Sequence, residues 1–254
     1  MYKLAFVLSN LAKLHNKKNN LTQSEKYAIN AEEVYQVLKS EYSEFYFIEE
    51  ARNNSVLASI SKQQNKLDQA EKYYLKSLDN YQKLEEGKSG EVLYEKATII
   101  FALGVINFGN RNLEKAHSFY TESLPLIRRL DKTDPNKYKY ILVENLLGLG
   151  ATHALKQEIE LAKSKYEECL DLYEKLARSN PQIYSMRCAS AQLGAANFYL
   201  SINDKSKSVE LVGKSIENIA PFKRDPQSQR FLDYASDILK YWKIDPEKFI
   251  SERK

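Results

Sequence analysis

The feature that most constrains how this chain can fold is an internal repeat with a period of 46 residues. Small residues recur at this interval in five copies, at Ser24, Ala70, Ala116, Ala162 and Ser208. Four residues after each of them stand Ala28, Tyr74, Tyr120, Tyr166 and Val212, and further regular columns follow at offsets of 7, 11 and 14. Because such offsets lie on one face of an α-helix, the repeat predicts one long helix in each copy.

A second helix precedes the first set of columns in every copy. Twelve residues before each small residue stands another small one, at Ala12, Ala58, Gly104, Gly150 and Ala196. Short polar segments such as NKKNN and GNRN separate the two columns. Two helices joined by a short turn form an αα-hairpin, so the small columns predict where the two backbones cross closely. With only 8 Gly and 6 Pro in 254 residues, the composition also favours long helices over a sheet with many turns.

Two segments, LGVINFGNRNLEKAHSFYTES (103–123) and LGATHALKQEIELAKSKYEEC (149–169), resemble the tetratricopeptide repeat (TPR) family. They carry the family's Leu-Gly pair, its Ala at the start of the second helix, and its aromatic and small residues. The resemblance extends over about residues 3–222. Since the usual TPR period is about 34 residues, it implies a long-repeat variant. The implied fold is all-α, an α-α superhelix (a TPR solenoid) of about five helical hairpins plus a C-terminal cap helix.

Helix-start signals agree with a division of the chain into five hairpins and a C-terminal cap. We place the hairpins at about residues 1–42, 43–88, 89–132, 133–179 and 180–222, and a capping helix with its tail at 223–254. An N-cap residue directly precedes a proline at the first helical position in Asp134-Pro135, Asn180-Pro181 and Asp225-Pro226. Thr22 and Glu25 predict a capping box at the second helix of the first copy. Pro125 lies inside a predicted helix and is expected to kink it.

The charge pattern indicates solvated helix faces rather than a nucleic-acid surface. The net charge is +4, and both signs occur in each of the segments 1–40, 41–221 and 222–254, whereas a nucleic-acid binder concentrates Lys and Arg on one face. We find no run of about 18 apolar residues that would span a membrane, and residues 1–12 fit a first helix better than a signal peptide. The two cysteines suggest a reducing compartment. We therefore expect a cytoplasmic protein without a nucleic-acid or membrane partner.

Side chains suited to catalysis or metal binding are sparse. His15 and His153 share a column that faces the partner helix, where a buried histidine with a local hydrogen bond is the expected arrangement. No His-Glu-x-x-His motif or paired-cysteine spacing indicates zinc, and Cys169 falls in a small core column. We therefore expect no catalytic residues, no metal and no cofactor, and the protein is predicted not to be an enzyme.

The TPR resemblance implies a binding site on the first helices, which in that family line a concave surface that binds extended or helical peptides. First-helix residues off the packing columns are the candidates for this groove: Lys13, Arg52, Ser55, Thr98, Phe101, Val105, Phe108, Glu144, Leu147, Ala151, Leu193 and Asn197. They predict a groove that is polar and basic in the first two copies and apolar from the third copy onward. Because residues 97–109 contain no charge, two interpretations stay open, in which Phe101 and Phe108 belong either to the groove or to the core.

These features favour a non-enzymatic protein–protein interaction scaffold that binds a peptide or a partner helix in the concave groove. One alternative is a peptide-sensing regulatory module of a larger signalling or transcription-regulating system. Another is self-assembly, with the apolar groove as the interface of a homo-oligomer.

Overall fold

The computed structural model describes residues 1–38, 44–84, 90–222 and 224–253, without the side chains of Glu44 and Asn136. These parts of the chain are helical and contain no strand, which confirms the predicted all-α class. The helices are α1 (Tyr2–Lys17), α2 (Leu21–Val37), α3 (Glu44–Gln63), α4 (Leu67–Gln82), α5 (Gly90–Gly109), α6 (Leu113–Thr133), α7 (Pro135–Leu155), α8 (Ile159–Ser179), α9 (Pro181–Ser201), α10 (Lys205–Ile219), α11 (Pro226–Tyr241) and α12 (Pro246–Ser251). A short 3₁₀ turn, Ala220–Phe222, follows α10.

The interval of 46 residues reappears in the backbone of the turns inside the hairpins. A non-glycine residue with φ between 57° and 62° stands at the same place in five copies, at Asn19, Asn65, Arg111, Gln157 and Asn203. The next residue donates its N–H to the carbonyl five positions earlier at 2.8–2.9 Å, and the second helix begins one residue later. A single residue in the left-handed conformation thus ends the first helix, and the turn satisfies carbonyls that the last helical turn leaves without partners. Each copy therefore leaves its first helix through the same turn.

The chain divides into two compact units, Met1–Ile141 and Leu142–Lys254. In the first unit α1 packs on α2, α3 on α4 and α5 on α6, and successive hairpins meet through α2 with α3 and α4 with α5. In the second unit α9 packs on both α8 and α10. Helix α11 lies against α9 and α10 and in turn contacts α12, as expected of a C-terminal cap.

The predicted small columns meet where the two helices of a hairpin cross. In the first and fifth copies the serine hydroxyl of the second helix donates to a carbonyl of the first, from Ser24 to Ala12 at 2.8 Å and from Ser208 to Ala196 at 2.9 Å. All four residues are completely buried. A larger side chain at these positions would separate the helices and break both hydrogen bonds.

Glycine occupies the first-helix column where a tyrosine ring lies directly against the backbone. A Cβ atom added at Gly104 would stand 2.7 Å from two ring carbons of Tyr120. At Gly150 the corresponding distance to the ring of Tyr166 would be 3.2 Å. Because real Cβ contacts are longer than the first of these distances, Gly104 is required by packing and not by backbone conformation.

The proline signals correctly predict three helix starts. Helices α7, α9 and α11 begin at Pro135, Pro181 and Pro226. The preceding Asp134 accepts a hydrogen bond from the Lys137 backbone at 3.2 Å, and Asp225 accepts one from the Gln227 backbone at 2.8 Å. Asn180 occupies the cap position before Pro181 without a side-chain hydrogen bond. The proline therefore sets the start of α9 without help from its cap.

Other local expectations need correction or fall outside the described residues. The predicted capping box of Thr22 and Glu25 is wrong, because α2 begins at Leu21 and its cap is Asn20, whose side chain accepts from the Gln23 backbone at 3.3 Å. The left-handed turn before Asn20 determines where this helix begins. Pro125 lies inside α6, which continues to Thr133 as one helix. The predicted copy boundaries at 42/43 and 88/89 lie outside the described residues.

Among the described helices, α5 alone is long and apolar enough, by length and composition only, to cross a membrane. Its buried residues include Ala97, Ile100 and Leu103, and it packs against α4 and α6 in the core of the first unit. A helix that is apolar on most sides is normally one surrounded by protein. Its packing in the core therefore accounts for the buried part of the uncharged stretch in the sequence.

Candidate binding surface

The first unit brings together the polar candidates predicted from the first helices. Lys13, Arg52, Ser55 and Thr98 line one pocket of about 230 Å³. The remaining lining residues come mostly from the same helices and are Asn16, Val56, Ser59, Tyr81, Glu95 and Ile99. Helices α1, α3 and α5 thus present one continuous polar site, as their shared position in the repeat predicts.

Arg52 is held by carboxylates from two helices. Its Nε donates to both oxygens of Glu95 at 2.9 and 3.0 Å, and its Nη1 donates to Glu49 at 2.7 Å. Its Nη2 lies 3.2 Å from Glu91. Burial alone would lower the pKa of Arg52, but the hydrogen bonds and charges of Glu95 and Glu49 raise it above its ordinary value. The guanidinium therefore ties α3 to α5 and has few donors left for a ligand.

This network changes the predicted character of the site. The sequence predicts a basic end of the groove from Lys13 and Arg52, but Glu95 lines the same pocket, and Glu49 and Glu91 also pair with Arg52. The pocket is polar with both signs of charge. Glu95 lies 46 residues after the buried Glu49. The repeat interval counted onward from Glu49 is therefore the sequence signal that identifies Glu95.

Tyr81 extends the network from the second helix of the hairpin. Its hydroxyl donates to Glu95 at 2.9 Å. Burial, followed by the nearby charge of Glu95, raises the pKa of Tyr81 far above its ordinary value. The phenol therefore stays protonated and acts as a fixed hydrogen-bond donor that orients the Glu95 carboxylate. Sequence reasoning missed Tyr81 as a site residue because its column reads as core.

The apolar candidates of the first unit lie on the same face of α5 as Thr98. Phe101, Val105 and Phe108 follow it at helical spacings of three, seven and ten residues, and all three are partly buried. The Phe101 ring packs on Tyr120 with ring centroids 5.8 Å apart. These side chains therefore support the core with one side and remain accessible on the other, which combines the two interpretations that the sequence leaves open.

Candidates in the second unit differ in accessibility. Glu144, Leu147 and Ala151 are partly buried on α7, and Asn197 is exposed on α9. The Glu144 carboxylate accepts a hydrogen bond from the Tyr173 hydroxyl of α8. Leu193 is only 2% exposed, because α9 is packed between α8, α10 and α11, so its side chain offers no surface to a ligand.

Comparison with solved structures identifies the kind of fold that carries this surface. A signal transduction ATPase with a tetratricopeptide repeat sensor, from Pyrococcus horikoshii, superposes with a TM-score of 0.70 at 15% identity, over 98% of this chain and 35% of that one. A kinesin light chain with TPR-like repeats from Podospora anserina gives 0.56 at 14% identity, over 86% and 96% of the two chains. The chain has a TPR-like helical repeat fold.

A third TPR-like neighbour was solved with a bound factor. It is a Rap protein complexed with Competence and Sporulation Factor, with a TM-score of 0.54 at 12% identity, over 98% of this chain and 65% of that one. No protein-family model matches this TPR-like chain, and no curated protein matches it by sequence. The likeness is therefore one of fold.

His153, Cys169 and Cys188, which carry chemically reactive groups, are buried. His153 is 5% exposed, and its Nδ1 lies 2.5 Å from the Glu158 carboxylate, which agrees with the predicted local hydrogen bond. Cys169 and Cys188 are buried, and burial raises the pKa of the Cys188 thiol to about 12. Within the described residues, no group of three or more His, Cys, Asp or Glu side chains could hold a metal ion.

Proposed function

We propose that this chain is a non-enzymatic protein-interaction scaffold that binds a peptide or partner helix along its first helices. One observation carries the proposal: the polar pocket around Arg52 and Glu95 continues into the partly exposed face of Phe101, Val105 and Phe108 on α5. Peptide sites commonly combine apolar contacts that supply affinity with a few fixed polar groups that set orientation and register. The Rap protein complexed with Competence and Sporulation Factor supports a binding role for this fold.

The polar pocket suits main-chain or amide groups of a peptide better than a lone charge. Arg52 is engaged by carboxylates, whereas Ser55 offers a hydroxyl group and Lys13 an ammonium group. The Thr98 hydroxyl donates to the Glu95 carbonyl at 2.8 Å, so its oxygen is available to a ligand as an acceptor. The mixed charges therefore favour a polar segment followed by apolar side chains that rest on α5. We place the protein in a reducing compartment, the cytoplasm, because both cysteines are buried and unpaired.

A peptide-sensing regulatory module is the second candidate function. The fold neighbour from Pyrococcus horikoshii is a signal transduction ATPase with a TPR sensor, and this chain matches 35% of its length. The scaffold and the sensing module use the same binding site. They differ in whether binding of the peptide also regulates a larger system. Self-assembly through the apolar face is the third candidate, and it predicts a concentration-dependent dimer that Val105→Asp dissociates.

A displayed library of random peptides, selected on the wild-type chain and measured by fluorescence anisotropy, tests the proposal. We expect Val105→Asp to weaken binding of the selected peptides at least about tenfold, because it places a charge on the apolar part of the site. The matched control is Leu75→Asp, at a 42% exposed leucine on α4 away from the first helices. Circular dichroism should show unchanged helicity in both. The proposal would be overturned if Val105→Asp and Leu75→Asp weakened peptide binding equally. It would also be overturned if neither the wild type nor the control bound any peptide.

A further inference from the structure

An exposed apolar stripe runs along the outer side of α1. It consists of Leu4, Val7, Leu11 and Leu14, whose spacings of three, seven and ten residues lie on one helix face. Leu4 is 53%, Val7 52% and Leu14 47% exposed, and Leu11 is partly buried. Single exposed leucines are ordinary, whereas a contiguous aliphatic row on a helix marks an interaction surface.

The corresponding positions of the later copies are buried. Stepping from Val7, Leu11 and Leu14 by the repeat interval reaches residues that are at most 4% exposed: Asn53, Leu57, Ile60, Ile99, Leu103, Ile106, Asn145, Leu149, Thr152, Ala191, Ala195 and Phe198. These columns are thus the standard packing surface of a first helix in this repeat. Only the copy in α1 leaves them accessible.

The preceding hairpin covers these columns within the first unit. Leu57 and Ile60 of α3 share a buried cluster with Ala12 and Ala28 of the first hairpin. The equivalent residues of α5 cluster in the same way with α3 and α4. The outer stripe of α1 is therefore equivalent to the surface through which α3 and α5 pack on the hairpin that precedes them.

Charge indicates which helix would fit. Residues 1–20 contain Lys3, Lys13, Lys17 and Lys18 and no Asp or Glu. A second copy docked through the same face would bring two basic helices together, which costs free energy, whereas a helix with Asp or Glu beside its apolar row would be attracted. Lys13 itself lines the pocket around Arg52, so the stripe occupies a different side of α1 from the proposed peptide site.

We propose that the outer stripe of α1 docks an amphipathic α-helix whose apolar row is flanked by acidic residues. The helix takes the place that the second helix of a preceding hairpin has on α3 and α5. Its aliphatic side chains cover Leu4, Val7 and Leu14, and its carboxylates lie near Lys3, Lys17 and Lys18. The site is independent of the surface on α3 and α5.

The probes are two synthetic helical peptides of 18 residues with the same leucine row, one flanked by Glu and the other by Lys. We expect the Glu peptide to bind at least about tenfold more tightly than the Lys peptide and to weaken with added salt. Val7→Asp should reduce binding of the Glu peptide at least about tenfold. The matched control is Leu161→Asp, at a 51% exposed leucine of α8, and Val105→Asp should also leave binding unchanged.

Each other outcome overturns the proposal. Equal binding of the Glu and Lys peptides would refute the acidic partner, and binding of neither would refute a docking site. Light scattering that shows a dimer dissociated by Val7→Asp would identify a second copy as the occupant. Val7-dependent binding to vesicles of phosphatidylcholine and phosphatidylserine, without binding of the Glu peptide, would identify a membrane surface instead.

Discussion

Alanine substitutions at three helical glycines test the close helix crossing directly. In a helix interior, replacing Gly by Ala stabilises by about 1 kcal/mol when the added methyl meets nothing. Gly194 in α9 is such a position, since a Cβ there has no neighbour within 4 Å. We therefore expect Gly194→Ala to raise the free energy of unfolding by about 0.5–1 kcal/mol.

At Gly104 the same methyl meets the buried ring of Tyr120 at 2.7 Å. The ring is 3% exposed and cannot swing into solvent, so it or the helix must shift. Overpacking of this kind costs about 1–3 kcal/mol, which exceeds the propensity gain, and Gly104→Ala should destabilise by about 1 kcal/mol. At Gly150 the 3.2 Å contact with Tyr166 requires a smaller shift, so Gly150→Ala should be nearly neutral.

Urea unfolding followed by circular dichroism gives the three free energies, and hydrogen exchange locates the effect. Because a repeat array can unfold locally, the amides of α5 and α6 should lose protection in Gly104→Ala while those of α9 do not. Gly150→Leu should open α7 and α8 and cost about 3 kcal/mol, because the side chain cannot be accommodated. If Gly104→Ala stabilises the chain as much as Gly194→Ala does, the close approach of the two helices is refuted.

Three further predictions follow from local structure. Arg111→Gly and Gln157→Gly should each stabilise the chain by about 0.5–1 kcal/mol in urea unfolding, because both residues hold a positive φ that glycine adopts freely; no gain would refute the strained turn. Cys188, whose pKa is about 12, should stay protonated and resist a thiol reagent at pH 8 until urea exposes it; fast native labelling would contradict its burial. Arg52→Met should destabilise by about 3 kcal/mol, because it leaves the 3% exposed Glu49 without its cation; a thermal midpoint equal to wild type would contradict this.

Much of the fold can be predicted because the repeat places the same physical requirement at the same position in every copy. A crossing between two helices tolerates only small residues, so Gly104 with Ala116 and Gly150 with Ala162 identify two such crossings from the sequence. Proline has no N–H to donate and a fixed φ, so Pro135 and Pro226 identify helix starts. Thr22 failed as a cap because the left-handed turn at Asn19, a property of the backbone, had already determined where α2 begins.

The candidate site was predictable in its position but not in its electrostatics. Lys13, Arg52, Ser55 and Thr98 share one pocket because the repeat puts them on the same side of successive first helices. The pairing of Arg52 with Glu95 depends on the distance between α3 and α5, which the residue types in the repeat columns do not report. For the same reason the sequence assigned Leu193 to the groove, whereas packing on both sides of α9 buries it.

The sequence by itself determined the helical hairpins, their interval and which residues of successive first helices share the same face. These properties follow from local helix geometry, which depends on residue type and spacing alone. The tertiary structure decided which charges neutralise Arg52, how far Phe101 is accessible and that three residues of the stripe on α1 are about half exposed while its equivalents are buried. Those properties depend on which helices meet in space, because burial and electrostatic strength are set by the surroundings of a side chain and not by its identity.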